Sequence, residues 1–217
     1  MSKDDFELFD RWSDGDVDAG QVLIRRHYDR VYVFFASKVP EPVAAALTQR
    51  TFEVMCVRAD RLGRYTSMAS FLLGIAREIL LERLGRRVDR PFDPTTESIE
   101  EVDDGVTLTS VLIDKEHASR LVLALRRLPL DDQIMLELQT RPVLRLQEVA
   151  EILGVSNNRI ATRIATAQRR LRRVVSPIPG GEDTLTILAH YLESLYAELV
   201  GRRDDGSPAS VSPSSER

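Results

Sequence analysis

Between positions 160 and 174 the residues Ile160, Ile164, Ala167, Leu171 and Val174 recur at spacings of four, three, four and three. That rhythm puts them on one side of an α-helix and is incompatible with the two-residue alternation of a half-buried strand. The other side carries Arg159, Arg163, Arg169, Arg170 and Arg173. Just upstream, Val149, Ala150 and Leu153 give residues 147–153 a shorter apolar side. Between the two lies Gly154, the only glycine nearby and suited to a left-handed turn position. Ser156 is placed to cap the second helix through its hydroxyl. A short helix, a glycine turn and a longer helix with a basic outer face form the helix-turn-helix pattern. The same residues also describe an ordinary helical hairpin with a solvated basic face, so on this stretch alone the two readings stand level.

Local charge bears on that choice. The chain carries a formal net charge of −4, but residues 118–175 hold 11 basic against 5 acidic side chains, whereas residues 91–117 hold 1 against 8. Attraction to phosphate depends on the local field, so mild overall acidity does not oppose nucleic-acid binding. Leu, Ala, Arg and Glu dominate and favour helices, so an all-α fold is expected. No apolar run approaches the ~20 residues of a membrane span, which predicts no membrane insertion. The N-terminal MSKDDFELFDRW has no signal-peptide core, and the single cysteine, Cys56, has no partner for an internal disulfide. These features together predict a cytoplasmic protein.

Along the chain, residues 5–13 read as a short helix broken by Asp14, Gly15 and Asp16. Residues 17–38 read as a long one stopped by Pro40 and Pro42. A third helix spans about 43–61 and bears Leu47, Phe52, Met55 and Cys56, with Cys56 expected in the core beside its apolar neighbours. After a loop at 62–66, Ser67 caps a fourth helix that ends near Arg87. Four helices with short connections make a helical bundle domain, residues 1–88. Residues 89–114 form an acidic linker rich in proline and threonine. Residues 115–176 form a second helical domain: a helix over 115–128 closed by Pro129, a helix over 132–140 with Asp131 as its cap, and then the helix-turn-helix. Beyond it, Leu185, Leu188, Leu192, Leu195 and Leu199 mark an added amphipathic helix at 182–202. Packing onto the chain's own domains is favoured for it over docking or dimerisation. The Ser- and Pro-rich residues 203–217 read as a disordered tail.

Catalytic and metal chemistry find little support. His27, His117 and His190 are far apart and show no metal-ligand spacing, and neither a Gly-rich phosphate loop nor Gly-x-Ser-x-Gly occurs. Neither an enzyme, nor a cofactor, nor a metal site is expected.

Several stretches, in this order and at this length, are similar to an extracytoplasmic-function sigma factor of bacterial RNA polymerase. They are LIRRHYDRVYVFF (23–35), LTQRTFEVM (47–55), FLLGIAREILLERLGRR (71–87), ALRRLPLDDQIMLEL (124–138) and LQEVAEILGVSNNRIATRIATAQRRLRR (146–173). The resemblance covers about residues 9–175. It implies a protein that binds core RNA polymerase, recognises two promoter elements and directs initiation, with promoter DNA and an anti-sigma factor as further partners. Carried over, Leu47, Gln49, Thr51 and Phe52 would bind the polymerase clamp. Ser67, Ser70, Phe71 and Arg77 would meet the downstream element. Ser156, Asn158, Arg159, Thr162, Arg163, Thr166 and Arg170 would meet the upstream element from the major groove. Ala45, Ala46 and Arg50 stand where the family carries acids, and Ala161, Ala165, Thr166 and Gln168 stand where its recognition helix carries a lysine and following basic residues. Two alternatives therefore stay open: a degenerate sigma-like regulator working by protein interaction, and a helix-turn-helix repressor or activator dimerising through the 185–199 stripe.

Overall fold

The computed structural model describes residues 2–85, 124–125, 127–140 and 144–174, with 186, 188–190, 193–194, 196–197 and 200–201. The linker at 89–114, most of the helix expected over 115–128 and the tail at 203–217 lie outside the described residues, as do all leucines of the 185–199 stripe except Leu188. The chain is all-α. Its described helices are α1 (Ser2–Ser13), α2 (Val17–Ala36), α3 (Glu41–Val57), α4 (Met68–Arg83), α5 (Leu130–Gln139), α6 (Leu146–Leu153) and α7 (Asn157–Val174), with a 3-10 turn at Ala59–Arg64.

Short-range chemistry sets most boundaries. Asp16 caps α2 by accepting the Ala19 N–H at 3.0 Å, and its carboxyl is held below the usual range by that N–H and by Arg11. Gly20 follows because the Trp12 indole lies where a side chain would be: a Cβ there would stand 2.6 Å from the ring. Pro40 takes the N-cap position of α3, and Pro42 falls in its first turn, where a missing N–H costs nothing. Ser67 caps α4 in a reciprocal box with Ser70.

The first four helices pack around Leu23, Phe34, Phe35, Met55, Phe71, Leu72 and Leu80. Each such side chain taken out of water stabilises the fold by roughly 1.5–3 kcal/mol. The Phe34 and Phe35 rings meet edge-on at 5.4 Å, and Tyr28 stacks on both Tyr32 and Phe52. Helices α5, α6 and α7 form a second group around Ile134, Leu136, Val149, Ile152, Ile164 and Leu171. Twelve of the sixteen residues of α4 are buried, far more than one apolar stripe accounts for. The reason is that α4 is covered by α2 and α3 on one side and by α6 on the other. The two helical groups thus share one continuous core, which Leu188 also joins.

Four local expectations are corrected. Asp131 does not cap α5: Pro129 holds the N-cap position, and the Asp131 carboxylate instead accepts from Arg77. Cys56 is exposed although Phe52 and Met55 beside it are buried, because the core side of α3 runs through Thr48, Phe52 and Met55 and leaves Cys56 and Val57 facing outward. The 3-10 turn begins at Ala59 and takes residues that were expected to extend α3. The Ser156 hydroxyl donates to Asn158 Oδ1 at 2.7 Å, and it is the Ser156 carbonyl that accepts the Arg159 N–H.

Candidate nucleic-acid interface

Helix α6 ends at Gly154, whose φ of +65° is left-handed and whose N–H returns to the Ala150 and Glu151 carbonyls. Any other residue would be strained there. This turn hands the chain to α7, which buries Ile160, Ile164, Ala167 and Leu171 against α5 and α6. The remaining surface of α7 is partly left to solvent. Ser156, Asn158, Arg159 and Thr162 are exposed around its N-terminal turns, while Arg163 and Thr166 are half-buried. Arg169 donates to Thr166 Oγ1 at 3.1 Å, which tucks one guanidinium back along the helix. Arg170 is used inside the protein: it donates to Asp132 Oδ2 at 2.7 Å. Burial pushes the Asp132 carboxyl above its ordinary range, and Arg170 pulls it back. Six of the seven positions assigned to the upstream element therefore lie together at the start and middle of α7, and Arg170 lies apart, bound to α5.

The positions assigned to the downstream element are placed differently. Ser70 is 0% exposed, Phe71 1% and Arg77 9%. Phe71 is a core side chain tilted against Tyr65 at 5.1 Å, and burial raises the Tyr65 phenol above its ordinary pKa. Arg77 closes a bidentate ion pair with Asp131: Nε and Nη2 donate to Oδ1 at 3.0 and 2.8 Å, and Nη2 to Oδ2 at 3.0 Å. Ser67 and Ser70 donate to Glu148 and Glu151 of α6, the latter bond at 2.7 Å, and the Thr66 hydroxyl donates to Glu151 as well. The Thr66 N–H reaches Glu151 Oε2 at 2.9 Å.

Of the positions assigned to polymerase, Gln49 is exposed and Leu47 half-buried, while Thr51 and Phe52 face inward. The Thr51 hydroxyl donates to the Leu47 carbonyl, and Phe52 lies on Tyr28. The outer side of α3 shows Ala45, Ala46, Gln49, Arg50 and Glu53, with Arg50 paired to Glu53 at 3.2 Å.

Side chains that the sequence reading passed over hold the two helical groups together. Lys38, just past α2, donates to Glu137 of α5 at 2.5 Å, to the Phe34 carbonyl and to Ser37, and sits 4.3 Å above the Phe34 ring. Glu148 and Glu151 gave one signal: two acids three apart on a short helix with little else that is polar. Nothing local marked Lys38 or Glu137. Among the described residues no group of His, Cys, Asp or Glu is arranged to hold a metal ion, and no described helix is long and apolar enough to cross a membrane.

The class of protein defined by these features is an all-α chain that presents a helix-turn-helix with a solvent-facing second helix. No protein-family model matches the chain, and no curated protein matches it. Among solved structures it is similar to the sigma factor RpoE in complex with the anti-sigma factor NepR from Bartonella quintana. The identity is 20%, 73% of this chain and 96% of that chain are covered, and the TM-score is 0.46.

Proposed function

We propose that this chain is a DNA-binding transcription regulator of the sigma-factor type, which joins core RNA polymerase and directs initiation at a limited set of promoters. The observation that carries this role is the outer side of the N-terminal part of α7, where Asn158, Arg159 and Thr162 face solvent after the Gly154 turn. A major groove admits one α-helix, and Asn158, Arg159, Thr162 and Arg163 are the types of side chain that reach base edges and phosphates. The order of motifs along 9–175 extends the role from DNA binding to sigma-type initiation, with polymerase meeting the outer side of α3 around Leu47 and Gln49. An anti-sigma factor is the partner that such a role implies.

The enclosure of Ser70, Phe71 and Arg77, with Ala45, Ala46 and Arg50 on the outer side of α3, favours one second role: a sigma-like protein that binds polymerase or a regulator without opening DNA.

Purified full-length protein, core polymerase and fragmented genomic DNA from the same organism distinguish the two. Transcripts starting at defined positions are expected. Arg159→Ala is expected to weaken duplex binding by ~1–3 kcal/mol if the side chain makes a bidentate base contact. Polymerase binding without transcripts selects the second role. Tight duplex binding with no polymerase binding sinks both in favour of a simple repressor or activator.

A further inference from the structure

On α7 the residues Arg159, Arg163, Thr166 and Arg170 recur at spacings of four, three and four, so they form a polar stripe along the edge of the buried one. The two ends of that stripe have different surroundings. At its start Arg159 is exposed beside Asn158 and Thr162. Further along, the polar groups turn back onto the protein. The Thr166 hydroxyl donates to the Thr162 carbonyl at 2.9 Å, Gln168 donates to Gln139 Oε1 of α5 at 3.2 Å, and Arg170 donates to Asp132 Oδ2 at 2.7 Å. The Asp132 side chain is 2% exposed and that of Arg170 21%, so water reaches the cation and not the anion. Asp132 also lies in the field of Arg163, earlier on the same stripe.

That asymmetry fixes where the guanidinium stays. An exposed ion pair trades its partner for water or phosphate at little cost. A buried carboxylate has no such exchange: if Arg170 left for a phosphate, Asp132 would remain charged and unpaired out of water. The pair as a unit is neutral, so it adds nothing to the positive field that draws a polyanion. Phosphate contacts supply affinity without carrying sequence information, which is read at the base edges. An arginine taken out of the phosphate set therefore lowers binding to all sequences and leaves the base-reading groups as they were.

We propose that Asp132 is a positioning residue for DNA binding: it withholds Arg170 from the DNA backbone, confines the reading face to Asn158, Arg159, Thr162 and Arg163, and so limits the sequence-independent share of the affinity. This inference rests on the DNA-binding role proposed above. It makes α5, through one buried carboxylate, the control on how strongly α7 holds a duplex of arbitrary sequence.

The test titrates the full chain against a short fluorescent duplex of arbitrary sequence over a series of salt concentrations. Asp132→Asn keeps the side-chain shape and removes the charge. It is expected to bind tighter by roughly threefold to tenfold, the scale of one hydrogen bond to phosphate, and to steepen the slope of log K against log salt by about 0.9. Adding Arg170→Gln to that variant is expected to return affinity and slope to the wild-type values, and Arg170→Gln alone to leave the slope as it was. A variant that merely loosened the fold would weaken binding and would gain nothing from the second substitution. The wild type supplies a readout that needs no variant to fold: in side-chain NMR the Arg170 guanidinium N–H signals are expected to stay in place when duplex is added, while those of Arg159 shift. An unchanged slope in folded Asp132→Asn, a shallower slope in Arg170→Gln alone, or Arg170 signals that move with the duplex overturns the proposal. If neither the wild type nor Asp132→Asn binds duplex at any salt, the DNA-binding role itself fails, so the two failures are told apart.

Discussion

Removing the Glu137 carboxylate tests how the two helical groups are joined. The Lys38 side chain is 2% exposed and that of Glu137 3%, so neither charge has water to fall back on. In Glu137→Leu the ammonium keeps the Phe34 carbonyl, the Ser37 hydroxyl and the Phe34 ring, but loses the Glu137 carboxylate. Breaking one side of a buried pair costs ~3–5 kcal/mol, most of it the penalty of the charge left behind. For a chain of this length each kcal/mol moves the midpoint by about 2–4 °C, so Tm is expected to fall by roughly 6–20 °C. Lys38→Met paired with Glu137→Leu removes both charges and is expected to recover most of that loss, or to exceed the wild type. Thermal and urea unfolding of the wild type, both single variants and the double variant give the coupling directly. A loss below about 1 kcal/mol in the single variant, the level of a solvent-exposed pair, would refute the reasoning, because it would mean that the two charges are hydrated and the groups stand apart.

Two further outcomes follow from the N-terminal helices. Gly20→Ala drives a methyl into the Trp12 ring, and is expected to cost ~1–3 kcal/mol and to loosen α1; a fully stable variant with unchanged Trp12 fluorescence would contradict the contact. His27 is buried at 3.1 Å from Asp5 and also faces Arg26 and Arg30. Burial is the main cause that lowers its pKa, with the Asp5 charge opposing. The folded value therefore lies below the unfolded one, and the unfolded chain takes up the proton first. Stability from this site is present above the ordinary imidazole value and is lost as pH falls through the folded value. Melting measured between about pH 7.5 and 5.5 is expected to show Tm declining with acid, and His27→Gln to flatten that slope; an equal slope in the variant assigns the effect to another group.

Much of the secondary structure was legible because it is decided within a few residues. The four-three rhythm of α7, the glycine at 154 and the serine cap at 67 each act through neighbours one turn away, and each takes the expected conformation. Cys56 was misplaced because a residue beside buried neighbours can still fall on the outer arc of a helix. Asp131 was misplaced because a distant arginine claims the carboxylate that capping would have used. Phe71 and Arg77 carry no local mark of enclosure: apolar residues fill nearly every turn of α4, and only the presence of a second covering layer tells that both sides are inside.

Sequence alone determined most of the described helices, their order and the helix-turn-helix, because periodicity, glycine conformation and capping are short-range effects. Tertiary structure decided which of the assigned residues are reachable. The side chains that settle it lie 54 to 99 positions apart, as in Arg77 with Asp131 and Lys38 with Glu137. A carboxylate and a cation at such distance are surface charges to any local reading. Packing of the second helical group onto the first makes them a buried joint, and it leaves α7 as the part of the candidate interface that still faces solvent.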